Sequence, residues 1–180
     1  MKFIEQSIKG VFLIEPKVFQ DSRGYFCETF RQDLFRKHIG EIEFVQDNES
    51  QSSKGVLRGL HYQLPPYAQS KLVRVVQGEI FDVAVDIRKN SPTFGKYVSA
   101  ILSGENKKQF FIPHGFAHGF LVLSESAIVH YKVDNFYSKE HERGIYYDTG
   151  IDWPKLDIPF TLSDKDNNLP VLEKADIFTE

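Results

Sequence analysis

One cysteine, Cys27, is present in 180 residues, which excludes an intrachain disulfide and a thiolate metal cluster and agrees with a reducing compartment. No apolar run approaches the roughly 20 residues needed to cross a bilayer. The opening Met1-Lys2-Phe3-Ile4-Glu5-Gln6 lacks the apolar segment of a secretory signal, so a cytoplasmic protein is expected. Positive charge is not in excess either. The formal charge of -3 argues against a general nucleic-acid surface, while leaving room for a small anionic ligand held by local cations. The chain has no Gly-rich phosphate loop and no serine in a nucleophile elbow. Internal repeats and low-complexity segments are missing as well. Helix signals are nearly so: residues 33–39, closed by Gly40, form the one clear helix pattern in the first half.

What is present is short β patterning between turns. With 41% hydrophobic and 26% charged residues, the chain is expected to form one globular domain over residues 1–180. Residues 8–18 read as an extended strand, Asp21-Ser22-Arg23-Gly24 as a tight turn, and residues 25–30 as a second strand with Phe26, Glu28 and Phe30 on one face. An Arg23–Glu28 surface pair would be the plain reading of that turn. Residues 51–55 read as a loop. Residues 71–88, turning at Gly78, read as a hairpin whose second strand puts Phe81, Val83, Val85 and Ile87 on one face and Asp82, Ala84 and Asp86 on the other. The Pro- and Asp-rich end, residues 153–172, reads by default as a solvated tail. Many short strands with Gly, Pro and Asn turns imply an all-β sandwich or barrel.

The chemistry concentrates in Val56-Leu57-Arg58-Gly59-Leu60-His61-Tyr62-Gln63. Side chains alternate along a strand, so Arg58 and His61 point opposite ways unless Gly59 supplies a bulge that turns both to one cavity. The competing reading is a half-exposed strand with Arg58 solvated and His61 packed. Gln46 and Asn48 share parity and offer donor and acceptor groups suited to an imide or hydroxyl edge, or simply end a polar strand. Pro113-x-Gly115-x-x-His118 resembles the second half of the cupin signature. Where a metal cupin would show His-x-His, this chain has His61-Tyr62-Gln63, which loses a ligand and frees both histidines for acid–base or hydrogen-bonding roles. A possible base (His61), a possible phenolic acid (Tyr131) and cations at Arg23, Arg58, Lys71 and Lys165 suit proton abstraction beside a carbonyl on an anionic substrate.

Seven motifs then fall in register. They are Asp21-Ser22-Arg23-Gly24-Tyr25-Phe26-Cys27-Glu28, Gln46-Asp47-Asn48, residues 56–63 and Lys71-Leu72-Val73-Arg74. After these come residues 81–88, Ser91-Pro92-Thr93-Phe94-Gly95 and residues 113–120. From about Val11 to about Leu172 the chain resembles the dTDP-4-dehydrorhamnose 3,5-epimerase family, metal-independent cupins of the dTDP-L-rhamnose pathway. The resemblance implies a cupin jelly roll with short peripheral helices, and a homodimer in which N-terminal strands are exchanged. It implies dTDP-4-dehydro-6-deoxy-D-glucose as substrate, with no metal and no cofactor.

Roles follow from the same resemblance. His61 matches the base, Asp166 the carboxylate that orients it, Tyr131 the acid on the opposite face and Lys71 the cation near the C4 oxygen. Arg58 and His118 match groups around the sugar and diphosphate, and Arg23, Glu28, Gln46 and Asn48 match thymidine and phosphate contacts. Tyr137 matches an aromatic that stacks on thymine, and Glu142 and Lys165 further binding positions, with Glu140 a rival to Glu142. Small departures are Pro65-Pro66-Tyr67 and Asn167-Asn168. The alternatives are a single-centre relative acting on a related sugar, a non-catalytic nucleotide-sugar-binding cupin and, least supported, a metal-dependent oxygenase.

Overall fold

A computed structural model describes residues 1–179. In chain order the elements are β1 (Lys2–Glu5), β2 (Phe12–Glu15), β3 (Val18–Asp21), β4 (Gly24–Cys27), α1 (Gln32–His38), β5 (Gln46–Ser53), β6 (Leu57–Gln63), β7 (Lys71–Gln77) and β8 (Glu79–Asp86). There follow β9 (Tyr97–Ser103), β10 (Gln109–Ile112), β11 (Phe116–Val122), β12 (Ser126–Val133), β13 (Glu142–Gly144) and a single turn of helix, α2 (Asp164–Asn167). The strands build a six-stranded sheet, β1-β2-β10-β7-β12-β5, and a five-stranded sheet, β13-β6-β11-β8-β9, beside a separate β3-β4 ribbon. Every pairing between these strands is antiparallel, as a jelly roll requires.

The two sheets enclose the main core. Val73, Val75, Ala127 and Val129 of one sheet meet Ile80, Ala84, Phe120 and Val122 of the other. Burying side chains of this kind supplies about 1.5–3 kcal/mol each, which makes this layer the chief source of the fold's stability. The outer face of the five-stranded sheet is covered in turn, with Leu60, Val83, Val85 and Ala117 lying under Ile145, Ile151, Trp153 and Phe178 of the C-terminal segment. On the six-stranded sheet, Ile14, Leu72 and Phe111 lie beneath Phe35 of α1 and its neighbours Phe30 and Phe44.

This double covering corrects several expectations. Residues 71–88 do not form a hairpin: β7 pairs with β10 and β12, whereas β8 pairs with β9 and β11. Gly78, at φ +81, hands the chain from one sheet to the other, and a Cβ there would stand 2.0 Å from the Ser126 carbonyl oxygen. Because both faces of β8 are covered, Asp82 and Asp86 are fully buried. Asp86 is satisfied there by Arg88, Ser91 and Thr93, so the motif over residues 86–93 ties down a loop.

Of residues 8–18 only Phe12–Glu15 form a strand before Pro16, and Val18 opens the next one, β3; β4 ends at Cys27, so Glu28 leaves the shared face expected with Phe26 and Phe30. Phe26 is exposed, whereas Phe30 packs under α1. Residues 51–53 continue β5 because they pair with residues 126–128 of β12. The supposed tail bridges back to the sheet, with Thr161 bonded to Gly55 and Leu57 through the backbone. No helix among the described residues is long and apolar enough to cross a membrane.

Candidate active site

Strand alternation that lines the core with aliphatic residues at one end of the jelly roll places polar ones at the other. Along β7 the inward set runs Lys71, Val73, Val75, and along β12 Ala127, Val129, Tyr131. On β11 the set is Phe116, His118, Phe120 and Val122. The polar end opens into a cavity of about 490 Å³ lined by Arg58, His61, Lys71, His118, Tyr131, Lys165 and Asp166. A smaller recess of about 150 Å³ shares His61, Lys71 and Tyr131 with it, and adds Gln46, Asn48, Tyr137 and Glu142.

Arg58 and His61 do reach the same cavity, and a bulge is the reason. His118 of β11 faces His61 and Phe120 faces Arg58, so two steps along β11 match three along β6. Gly59 takes up the extra residue at φ +118, a conformation that side-chain-bearing residues rarely adopt. A Cβ there would lie 2.7 Å from both the Gly119 Cα and the His118 carbonyl oxygen.

His61 is held from the far end of the chain. Its Nε2 lies 2.6 Å from Asp166 Oδ1, and the His61 side chain keeps 29% exposure over an Asp166 that is 6% exposed. Asp166 sits on α2, whose N-cap Ser163 accepts a bond from the Asp166 N–H at 3.1 Å, and its Oδ2 accepts a longer one from the Gly59 N–H. Burial works to raise the Asp166 carboxyl, but the bonds from His61, Gly59 and Ser163 together hold it below the usual range. An ionised carboxylate only accepts, so Nε2 carries the ring proton and Nδ1 remains to take another.

Tyr131 stands across the cavity on the other sheet, opposite Asn48 of β5 and Val73 of β7. Burial pushes its phenol up, with Arg58 opposing the shift. Arg58 donates from Nε to Ser52 Oγ at 2.9 Å. Lys71 donates to the His61 carbonyl at 3.3 Å, and burial lowers its ammonium to about 8 against the pull of Asp82 and Glu142. His118 Nε2 lies 2.7 Å from Asp82 Oδ1; burial, first of all, lowers that imidazole too.

The recess is closed by a chain of contacts. Glu142 receives Lys165 Nζ at 2.6 Å on one oxygen and the Tyr137 hydroxyl at 2.8 Å on the other. Burial works against the Glu142 carboxylate, but these two donors bring it below its usual range. Glu142 lines the recess and Glu140 does not. Gln46 donates to Asn48 at 2.8 Å and accepts from the Tyr137 N–H at 3.2 Å, so both belong to the same wall. Gln63 holds the loop above it, donating to the Tyr67 and Phe136 carbonyls and accepting from the Ser138 N–H.

Two expected residues are not brought here. Arg23 is 88% exposed on the β3-β4 ribbon and pairs with Asp21 at 2.6 Å rather than with Glu28. Glu28 is half exposed and lies 3.9 Å from Arg31. Neither lines the cavity within one chain. Sequence reading in turn passed over Asp82 and Ser163. A carboxylate in the middle of Ile80-Phe81-Asp82-Val83-Ala84-Val85 was the available signal for the first, and the Ser-x-x-Asp capping pattern for the second.

A family profile described as dTDP-4-dehydrorhamnose 3,5-epimerase matches residues 5–174. The dTDP-4-dehydrorhamnose 3,5-epimerase of Shigella flexneri is 58% identical over 182 residues, covering 99% of each chain. Among solved structures, the dTDP-6-deoxy-D-glucose-3,5-epimerase of Legionella pneumophila, in complex with dTDP-4-keto-L-rhamnose, superposes with a TM-score of 0.95 at 48% identity. It covers 99% of this chain and 98% of its own. A 3'-monoepimerase from Streptomyces bikiniensis, in complex with dTDP-quinovose, gives a TM-score of 0.89 at 35% identity, covering 94% of this chain and 87% of its own. Model match, identity and cupin jelly-roll architecture agree, and the chain belongs to the dTDP-4-dehydrorhamnose 3,5-epimerase family.

Proposed function

We propose that this chain epimerises dTDP-4-dehydro-6-deoxy-D-glucose at C3 and C5 to dTDP-4-dehydro-L-rhamnose. The observation that carries the reading is the opposition of His61 and Tyr131 from different sheets across one cavity, with Asp166 behind the first and Lys71 beside both. Inversion needs a base on one face of the sugar and an acid on the other. Groups on facing sheets meet that need.

His61 Nδ1 takes the proton from C3 or C5, and the electron pair moves onto the C4 oxygen as an enolate. The Lys71 ammonium donates to that oxygen, where fixed donors typically supply several kcal/mol. The Tyr131 phenol returns a proton on the opposite face, and solvent then reprotonates the phenolate and takes the proton from His61. Arg58, His118 and Lys165 suit the sugar and diphosphate. Gln46, Asn48, Glu142 and a stacking Tyr137 suit the thymidine, and stacking on a base is worth roughly 1–3 kcal/mol.

Arg23 and Glu28 find a role if the ribbon crosses to a second subunit. The ribbon exposes Phe19, Tyr25 and Phe26, which supports a homodimer with exchanged N-terminal strands, each chain a single cupin-type domain over residues 1–180. A single free cysteine suits a cytoplasmic enzyme. The donor set suits reaction through side chains alone, since His61 and His118 each bind a carboxylate of their own.

Proton NMR of dTDP-4-dehydro-6-deoxyglucose with the protein in deuterated water tests the reading at each carbon. Loss of both the C3 and C5 signals is expected, with a coupled reductase then yielding dTDP-L-rhamnose. Exchange at one carbon alone would make the chain a single-centre relative, and no exchange at either would overturn the enzymatic reading.

A further inference from the structure

Tyr137, the ring proposed to stack on thymine, is 55% exposed on a segment that belongs to neither sheet. β12 ends at Val133 and β13 begins at Glu142, and between them side chains rather than a strand partner take the backbone groups around Tyr137. The Tyr137 N–H donates to Gln46 Oε1 of β5 at 3.2 Å. The two groups that flank it both go to Gln63 of β6. The Phe136 carbonyl accepts from Gln63 Nε2 at 3.1 Å, and the Ser138 N–H donates to Gln63 Oε1 at 2.7 Å. In an extended chain those two groups point to the same side, away from the N–H between them, so one carboxamide pairs with them as a neighbouring strand would.

Gln63 is 4% exposed, and its remaining N–H goes to the Tyr67 carbonyl at 2.6 Å. Both amide hydrogens are therefore engaged by backbone, although the residue lines the recess. The Tyr67 loop is fastened to the Tyr137 segment twice more, by Gln69 Nε2 to the Asn135 carbonyl at 2.7 Å and by Asn135 Nδ2 to the Pro66 carbonyl at 3.0 Å. Pro65-Pro66-Tyr67 thus buttresses that segment. Gln63 also faces Glu142 across β6 and β13, and Glu142 receives the Tyr137 hydroxyl. Where a metal cupin would place the second histidine of His-x-His, this chain places a residue whose side-chain bonds all run to loop backbone.

We propose that Gln63 is a positioning residue for nucleotide recognition: its amide fixes the backbone on both sides of Tyr137 and so presets that ring for the thymine. This rests on the epimerase reading, which supplies the thymine. Gln46 and Gln63 reach the Tyr137 segment from different sheets, and Glu142 holds the hydroxyl, so an exposed ring is oriented before the ligand arrives. A group ordered beforehand gives up less conformational freedom on binding. Loss of the Gln63 amide should weaken the nucleotide through Tyr137 alone.

Calorimetric titration of dTDP into wild type, Gln63→Met, Tyr137→Ala and the double variant tests this, with folding checked by circular dichroism. Tyr137→Ala should bind about tenfold more weakly, within the range for a lost base stack, and Gln63→Met about fivefold more weakly. The double variant should bind as Tyr137→Ala does, because the amide then has no ring to position. A folded Gln63→Met protein that binds dTDP like the wild type, or losses that multiply in the double variant, overturns the proposal.

If Gln63→Met does not fold, amide hydrogen exchange in the wild type decides. The Ser138 N–H should exchange far more slowly than an unstructured amide although its segment lies outside the sheets, and exchange at the unstructured rate overturns the proposal. Should the wild type not bind dTDP, the nucleotide reading falls by itself, and the exchange measurement still decides whether Gln63 holds the Tyr137 segment.

Discussion

Asp166 lies 2.6 Å from His61 although 105 residues separate them in the chain. The contact joins β6, which carries the proposed base, to the C-terminal segment laid over the sheet. Asp166→Asn should therefore retain the fold while lowering the rate of exchange at both carbons, and His61→Ala should abolish it. General-base contributions of roughly 10²–10⁴-fold set the scale. Deuterium incorporation at C3 and C5, measured separately, checks both.

The same carboxylate bears on acid stability. The Asp166 carboxyl is held below its ordinary 3.8 in the folded protein, so its contribution is present above that value and lost as pH falls through the lower, folded one. Thermal melts of wild type and Asp166→Asn should converge as the pH drops below about 4. A constant gap between the two would show that the carboxylate's charge plays no part.

Tyr131→Phe separates the two halves of the reaction. Proton removal by His61 should persist, seen as deuterium entering without inversion, while product of inverted configuration falls by about 10²–10⁴-fold. Full double inversion by this variant would eliminate Tyr131 as the acid.

For Lys71 the prediction is a limb in the pH profile. Activity that needs its ammonium should fall as pH rises through about 8. Lys71→Arg, whose guanidinium stays protonated, should lose that limb whatever its residual rate.

Gly59→Ala tests the bulge. The position has φ +118 and lacks room for a Cβ against Gly119 and His118. A loss of about 1–3 kcal/mol in denaturant unfolding is expected from the strained conformation. Exchange should fall further than the loss of folded protein explains, because His61 and Arg58 depend on the extra residue.

The proposed exchange of N-terminal strands predicts a complementation result. Arg23→Ala and His61→Ala homodimers should both be impaired. Mixed dimers should regain activity, because one site of each hybrid then carries neither lesion. Additive loss in the hybrids would place Arg23 in its own chain's site or outside any site.

Much was legible before any tertiary contact was known. Alternation in residues 79–86 and 126–133 marked strands, Gly59 beside Arg58 and His61 marked a bulge, and motif register from Val11 to Leu172 marked the family. These signals are local, and the two-residue period and the freedom of glycine act within a few residues of themselves. Partnership is different. Residues 71–88 carry a hairpin's pattern, but β7 and β8 belong to different sheets because each finds its neighbours in β9 to β12. Asp82 was placed by alternation on a polar face. Covering of both faces of β8 by distant segments made it a buried charge instead. Asp166, in a stretch whose composition reads as solvated, was recruited by the backbone bonds of Thr161 to Gly55 and Leu57. The sequence by itself determined strand periodicity, the bulge and the family. Tertiary structure decided which sheet each strand joined and which carboxylate met which base, because those outcomes depend on free energy shared among residues far apart in the chain.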